Sequence, residues 1–103
     1  MRYQFNDQQL DNFKKISDIS LRYSGYGRLE QIIHIVNILN KNEEGICQFT
    51  NIDMTILEQI FDAAIKSNGL GVADAILELT NVLRSPIQDE VKKEEEKIID
   101  IES

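Results

Sequence analysis

The residues of this sequence with chemistry to offer are a tyrosine-glycine cluster, a lone histidine, a lone cysteine and dispersed carboxylates. The cluster, Tyr23-Ser24-Gly25-Tyr26-Gly27-Arg28, immediately precedes an amphipathic segment. Glycines let backbone amides approach a ligand, a helix N-terminus favours an anion, a guanidinium forks onto phosphate, and tyrosines stack on a base. Tyr23, Ser24, Gly25, Tyr26, Gly27 and Arg28 are therefore candidate ligand-binding residues for a nucleotide or another anion. The segment lacks both the strand and glycine spacing of a dinucleotide fingerprint and the Gly-Lys-Ser/Thr of a P-loop. The simpler reading is a helix-to-helix turn, with Gly25 supplying a positive φ and the tyrosines covering the edge of the core.

His34 falls on a polar strip, near Glu30 and Asn37 at helical spacing. With Cys47 it makes a formal Cys-His pair of the kind nucleophilic catalysis uses. Neither residue has a recognisable flanking signature, and an isolated cysteine is more often a small buried hydrophobe, so no catalytic residue is assigned. Asp53, Glu58 and Asp62, or Asp74 and Glu78, read most simply as solvated faces of two helices. The Asp74/Glu78 spacing suits a divalent ion but arises in any acidic helix, and no EF-hand order of ligands exists. No metal site and no cofactor are assigned.

These residues must be held by one domain, because the chain has 103 residues with 42% hydrophobic content. One cysteine and one histidine can build neither a disulfide framework nor a protein-only zinc site. A reducing compartment, the cytoplasm, is expected, since Met1-Arg2-Tyr3-Gln4-Phe5 lacks the regions of a signal peptide. No apolar run exceeds three residues, which excludes a transmembrane helix.

The predicted architecture is all-α, a small bundle of four to five helices with a short extended segment allowed at 46–50. Asn6 with Gln9 forms a capping box, and Leu10, Phe13, Ile16 and Ile19 make an apolar stripe, giving a first helix over about 7–23. Alternation at residues 19, 21 and 23 leaves a strand-like exit as a competitor. From Arg28 to Lys41, Leu29, Ile32, Ile33, Val36 and Leu39 share one face that Ile35 and Ile38 widen past half the circumference. A helix so apolar is either the centre of the monomer or part of a subunit interface, with Leu29, Ile32, Ile35 and Ile38 as the candidate interface residues. Ile46 to Thr50 is a strand only if it finds a partner, and Tyr3 to Phe5 is the one available.

Thr50, Asn51 and Asp53 are alternative N-caps of a third helix with Ile56, Leu57, Ile60, Phe61, Ala64 and Ile65 buried. Asn68-Gly69 ends it, and a fourth helix bearing Val72, Ile76, Leu79 and Leu83 follows closely, so the two pack as a hairpin. Ser85-Pro86-Ile87-Gln88 signals a new helix start. Residues 1–86 are thus a helical core domain, and 87–103 an acidic helix or tail with a thin stripe at Ile87, Val91, Ile98 and Ile101, fraying beyond about residue 97.

Eighteen acids against eleven Lys and Arg set the formal charge at −7, and seven of those acids lie beyond Gln88. The turn between the third and fourth helices has the outline of a helix-turn-helix. Its second helix opens with Val, Ala and Asp rather than base-reading side chains, and the surface is not cationic, so direct DNA binding is not expected. The leading expectation is a small acidic, non-enzymatic protein that binds another protein with a basic surface, as an inhibitor, adaptor or immunity-type factor. The alternative is a small-molecule binding or sequestering protein using the Tyr23–Arg28 turn. A homo-oligomer is compatible with either, and a hydrolase or transferase has no motif behind it.

Overall fold

A computed structural model describes residues 1–87. The elements are β1 (Arg2–Gln4), α1 (Asp7–Ser24), α2 (Leu29–Asn40), β2 (Ile46–Gln48), α3 (Asn51–Asn68) and α4 (Leu70–Leu83), with one 3-10 turn at Gly25–Arg28. The protein is a small, mainly helical bundle whose one sheet is the antiparallel pair β1-β2, in register Tyr3 opposite Cys47. The partner predicted for the 46–50 segment is the one it takes. The acidic helix or tail expected over 87–103, with its capping box at Gln88, lies beyond Ile87 outside the described residues.

Capping decides where the helices start. Asn6 accepts from the Gln9 amide at 2.7 Å while the Gln9 side chain accepts from the Asn6 amide at 2.9 Å. Thr50 and Asp53 repeat that reciprocal box at the head of α3, which settles the cap among the three candidates. Each box satisfies two amides that the first helical turn leaves without partners. α1 stays helical through Tyr23 and ends at Ser24, so the strand-like exit does not occur. Gly69, at φ +55°, caps α3, and α4 begins at the next residue, two positions earlier than the apolar pattern suggested.

The core gathers every phenylalanine in the protein. Phe13 of α1 lies with its ring centroid 5.7 Å from Phe5, 6.1 Å from Phe49 and 5.7 Å from Phe61. Phe5 follows β1 and Phe49 follows β2, so the sheet delivers two rings onto the helical face. Leu10, Ile16, Ile32, Ile35, Leu39, Leu57, Ile60 and Leu79 are among the aliphatic side chains buried with them. Two positions expected to be buried on α3 differ: Ile65 is exposed and Ile56 only half-buried, while Ala63 turns inward.

Ile32 and Ile35 are 2% and 0% exposed within the single chain. They belong to the monomer core, so burial within one chain accounts for the centre of the stripe at Leu29, Ile32, Ile35 and Ile38 without a second subunit, although Ile32 also borders a groove between α1 and α2. Leu29 and Ile38 are half-buried at its flanks.

The turn into β2 depends on one glycine. Glu44 and Gly45 both have positive φ, 55° and 85°, the backbone of a tight two-residue turn, closed here by the bridge between Glu43 and Ile46. Gly45 donates to Asn42 Oδ1 at 2.9 Å, and its carbonyl accepts from Phe5 at 2.8 Å. A β-carbon there would stand 2.1 Å from the Phe5 carbonyl oxygen. Gly69 also has positive φ but faces open space. Gly45→Ala is therefore expected to cost on the order of 2–4 kcal/mol in urea unfolding, and Gly69→Ala only about 1 kcal/mol. Equal losses at the two positions would mean that the approach of Phe5 is not what Gly45 serves.

Candidate functional site

The Tyr23–Arg28 residues form the end of α1 and the 3-10 turn. Gly25, at φ 68°, donates its amide to the Leu21 carbonyl and closes α1. Tyr23 and Tyr26 are 54% and 89% exposed, so neither covers the core edge. The Arg28 guanidinium bonds Gln31 at 3.2 Å and also Gln59 of α3, tying the turn to the bundle. A depression of about 330 Å³ beside the turn is lined by Tyr26, Gly27, Leu29, Glu30 and Gln31. Its one ionised lining side chain is the carboxylate of Glu30, which works against an anion there.

His34 reaches neither Glu30 nor Cys47. Its Nε2 lies 2.7 Å from Oδ1 of Asp53, a bond from α2 to the head of α3. Asp53 is 5% exposed, which corrects its assignment to a solvated face. Its other oxygen accepts from the Thr50 amide at 2.9 Å. Burial pushes the Asp53 carboxyl up, but the Thr50 amide, the His34 ring and the Thr50 hydroxyl outweigh it and hold the group below the usual aspartate value. The carboxylate thus does two jobs, capping α3 and anchoring α2.

Cys47 is 2% exposed in β2, opposite Tyr3. Burial pushes its thiol up to about 11 against a smaller opposing effect of Lys14. At neutral pH roughly one molecule in ten thousand would carry the nucleophilic thiolate. Glu58, Asp74 and Glu78 are exposed, and Asp62 holds Lys66 at 2.9 Å across one helical turn. Among the described residues no three His, Cys, Asp or Glu side chains gather in a way that could hold a metal ion.

The feature that sequence reasoning missed is a groove between α1 and α2. It encloses about 470 Å³ and is lined by Lys14, Asp18 and Leu21 on one wall and Ile32, Ile33, Val36, Asn37 and Asn40 on the other. Helical spacing explains both walls: 14, 18 and 21 lie on one face of α1, and 33, 36, 37 and 40 on one face of α2. Its floor is apolar, and Ile33 remains 48% exposed. Leu21 falls beside the core stripe of α1, whereas Ile33 and Val36, expected on the apolar face of α2, are exposed and half-buried because Ile32, Ile35 and Leu39 take the core side. A smaller hollow of about 230 Å³ lies between α3 and α4, at Met54, Leu57, Glu58, Phe61, Thr80, Leu83 and Arg84.

Comparison of the chain with protein-family models, with characterised proteins and with solved structures found no match. No helix among the described residues is long and apolar enough to cross a membrane.

Two outcomes follow from this chemistry. A carboxyl ionised more readily in the folded than in the unfolded chain stabilises the fold above the ordinary aspartate value of about 4, and that contribution is lost as pH falls through the lower folded value. Asp53→Asn is therefore expected to lose about 1–2 kcal/mol at neutral pH, with the gap from wild type closing below about pH 4. A gap independent of pH would remove the charge from the explanation. Cys47 is expected to resist a thiol reagent in the native protein and react fully once denaturant is added, whereas rapid native labelling would contradict its burial.

Proposed function

We propose that this is a small acidic, non-enzymatic protein that acts by binding another protein, as an inhibitor, adaptor or immunity-type factor. The observation that carries the reading is the apolar groove between α1 and α2, where exposed Ile33 and half-buried Leu21 and Val36 share one concavity, unlike Ile52, Leu70 and Leu77, which are exposed outside it. Apolar surface gathered in a concavity rather than scattered singly marks a place where a partner displaces water.

Charge supplies the second element. The formal charge of −7 favours encounter with a basic partner surface and disfavours nucleic acid. Seven acids against three lysines in residues 88–103 concentrate that attraction in one stretch of sequence. Such steering raises the association rate and is screened by salt, while apolar burial sets how long a complex lasts. The cytoplasm is the compartment this reading assigns, because a lone buried thiol is stable where thiols stay reduced.

The ligand-binding alternative at Tyr23–Arg28 is less favoured, because Arg28 is already engaged by two glutamines and Glu30 faces the depression.

The test is capture from native extract on the immobilised full-length chain at low and at high salt, followed by binding kinetics with the captured protein. A discrete partner is expected at low salt, with an association rate that falls as salt rises and a dissociation rate that changes little. Failure to retain any protein at low salt would overturn the reading.

A further inference from the structure

Resting on that docking reading, we infer that the groove between α1 and α2 seats one amphipathic helix of the partner protein, with a carboxylate of that helix set against Lys14. The geometry gives the length. Lys14 to Leu21 on one wall and Ile33 to Asn40 on the other each run two helical turns, about 10 Å at 1.5 Å per residue. A helix laid in such a channel presents apolar anchors at i, i+3 or i+4, and i+7 over the same span.

The charge complement comes from the ion pairs of the bundle. Lys15, Arg22 and Lys66 each meet an acid one turn earlier on their own helix, at 3.0, 2.7 and 2.9 Å. Lys14 has Leu10 at that position, and the acid one turn later, Asp18, is held by Arg22. Among the described residues Lys14 therefore has no ion-pair partner, and it stands on the rim of an apolar channel. The other polar lining groups are Asn37 and Asn40, which are neutral, and Asp18, whose charge Arg22 offsets at 2.7 Å one turn along α1. A carboxylate on the incoming helix would meet Lys14 as its floor is desolvated, where a charge pair counts for more than on open surface.

A second copy of the chain fits less well. A two-fold interface sets the same patch against itself; here that places concave against concave, leaving unfilled space and bringing two Lys14 side chains to one axis.

A display library of helix-biased peptides about twenty residues long, panned on the full-length protein, tests the assignment. Enriched sequences are expected to carry apolar residues at i, i+3 or i+4, and i+7, with Asp or Glu at one fixed offset. Ile33→Glu, at a position already half in water, is expected to lower binding of the selected peptides about tenfold or more while leaving the thermal transition in place. Lys14→Glu is expected to exchange the preference at that offset from Asp and Glu to Lys and Arg. Peptides without helical periodicity, or an acid preference that survives Lys14→Glu, would overturn the proposal. So would a dimer in light scattering that Ile33→Glu dissociates, since the groove would then belong to a second copy. If no peptide is enriched while the protein captured from extract is still retained by the Ile33→Glu chain, the groove assignment falls and the docking reading stands.

Discussion

The contact of Phe13 with three other phenylalanine rings is the constraint on which the arrangement depends. Phe5 and Phe49 reach it from the ends of the two strands and Phe61 from α3, so one side chain joins the sheet to two helices. Aromatic pairs at these separations add about 0.5–1.5 kcal/mol each beyond their buried area. Once Phe13 is surrounded, the rotation of α1 about its axis is determined. Leu10, Ile16, Ser17 and Ser20 face inward with it, and Lys14, Asp18 and Leu21 are carried to the flank. Ser17 and Ser20 are fully buried; Ser17 returns its hydroxyl to the Phe13 carbonyl at 2.9 Å, whereas the Ser20 hydroxyl has no hydrogen-bond partner among the described residues.

The groove follows from that rotation and from the excess of apolar residues on α2. A helix packed against one side of a bundle needs a single stripe, which Ile32, Ile35 and Leu39 provide. Ile33 and Val36 lie one residue further round, Ile33 exposed and Val36 only half-buried against the edge of the core. They meet Leu21, the corresponding surplus on α1, across a gap that no other described element fills. What holds α2 at this separation is polar as well as apolar: Asp53 bonds His34 while its second oxygen caps α3. One carboxylate thereby links the start of a helix to the placement of its neighbour.

How much of this was legible can be argued from particular residues. The box at Asn6, the choice of cap narrowed to Thr50, Asn51 and Asp53, the stop at Gly69 and the stripes at 10, 13, 16 and 57, 60, 61 are local patterns. Each is fixed by residues within one or two turns, so a single sequence suffices to read them. The pairing of β1 with β2 was readable only as the sole option open to a short segment, because strand pairing is non-local. The role of Asp53 was not legible: as the third residue of a capping box it looks like any acid in a first helical turn, and its burial is imposed by α2 arriving from elsewhere in the chain. The apolar breadth of α2 was plain, but whether its surplus faced a second subunit or a groove depended on how α1 was turned, which the ring of phenylalanines decides.

Binding and turnover make different demands on a small bundle. Turnover needs a nucleophile or general base oriented by its partners beside a cavity that holds a substrate. Here His34 is bonded to Asp53, Arg28 to Gln31 and Gln59, and Cys47 is buried in β2, and none of the three lines the groove between α1 and α2. Recognition needs the reverse, apolar surface left over after the core has closed and a charge not neutralised within the chain. Among the described residues the flank shared by α1 and α2 has both, in Leu21, Ile33 and Val36 and in Lys14. Under the proposed docking function, the packing that buries Phe13 would also set the shape of that flank before a partner arrives, and a preorganised seat loses less entropy on binding than one that must form around its ligand.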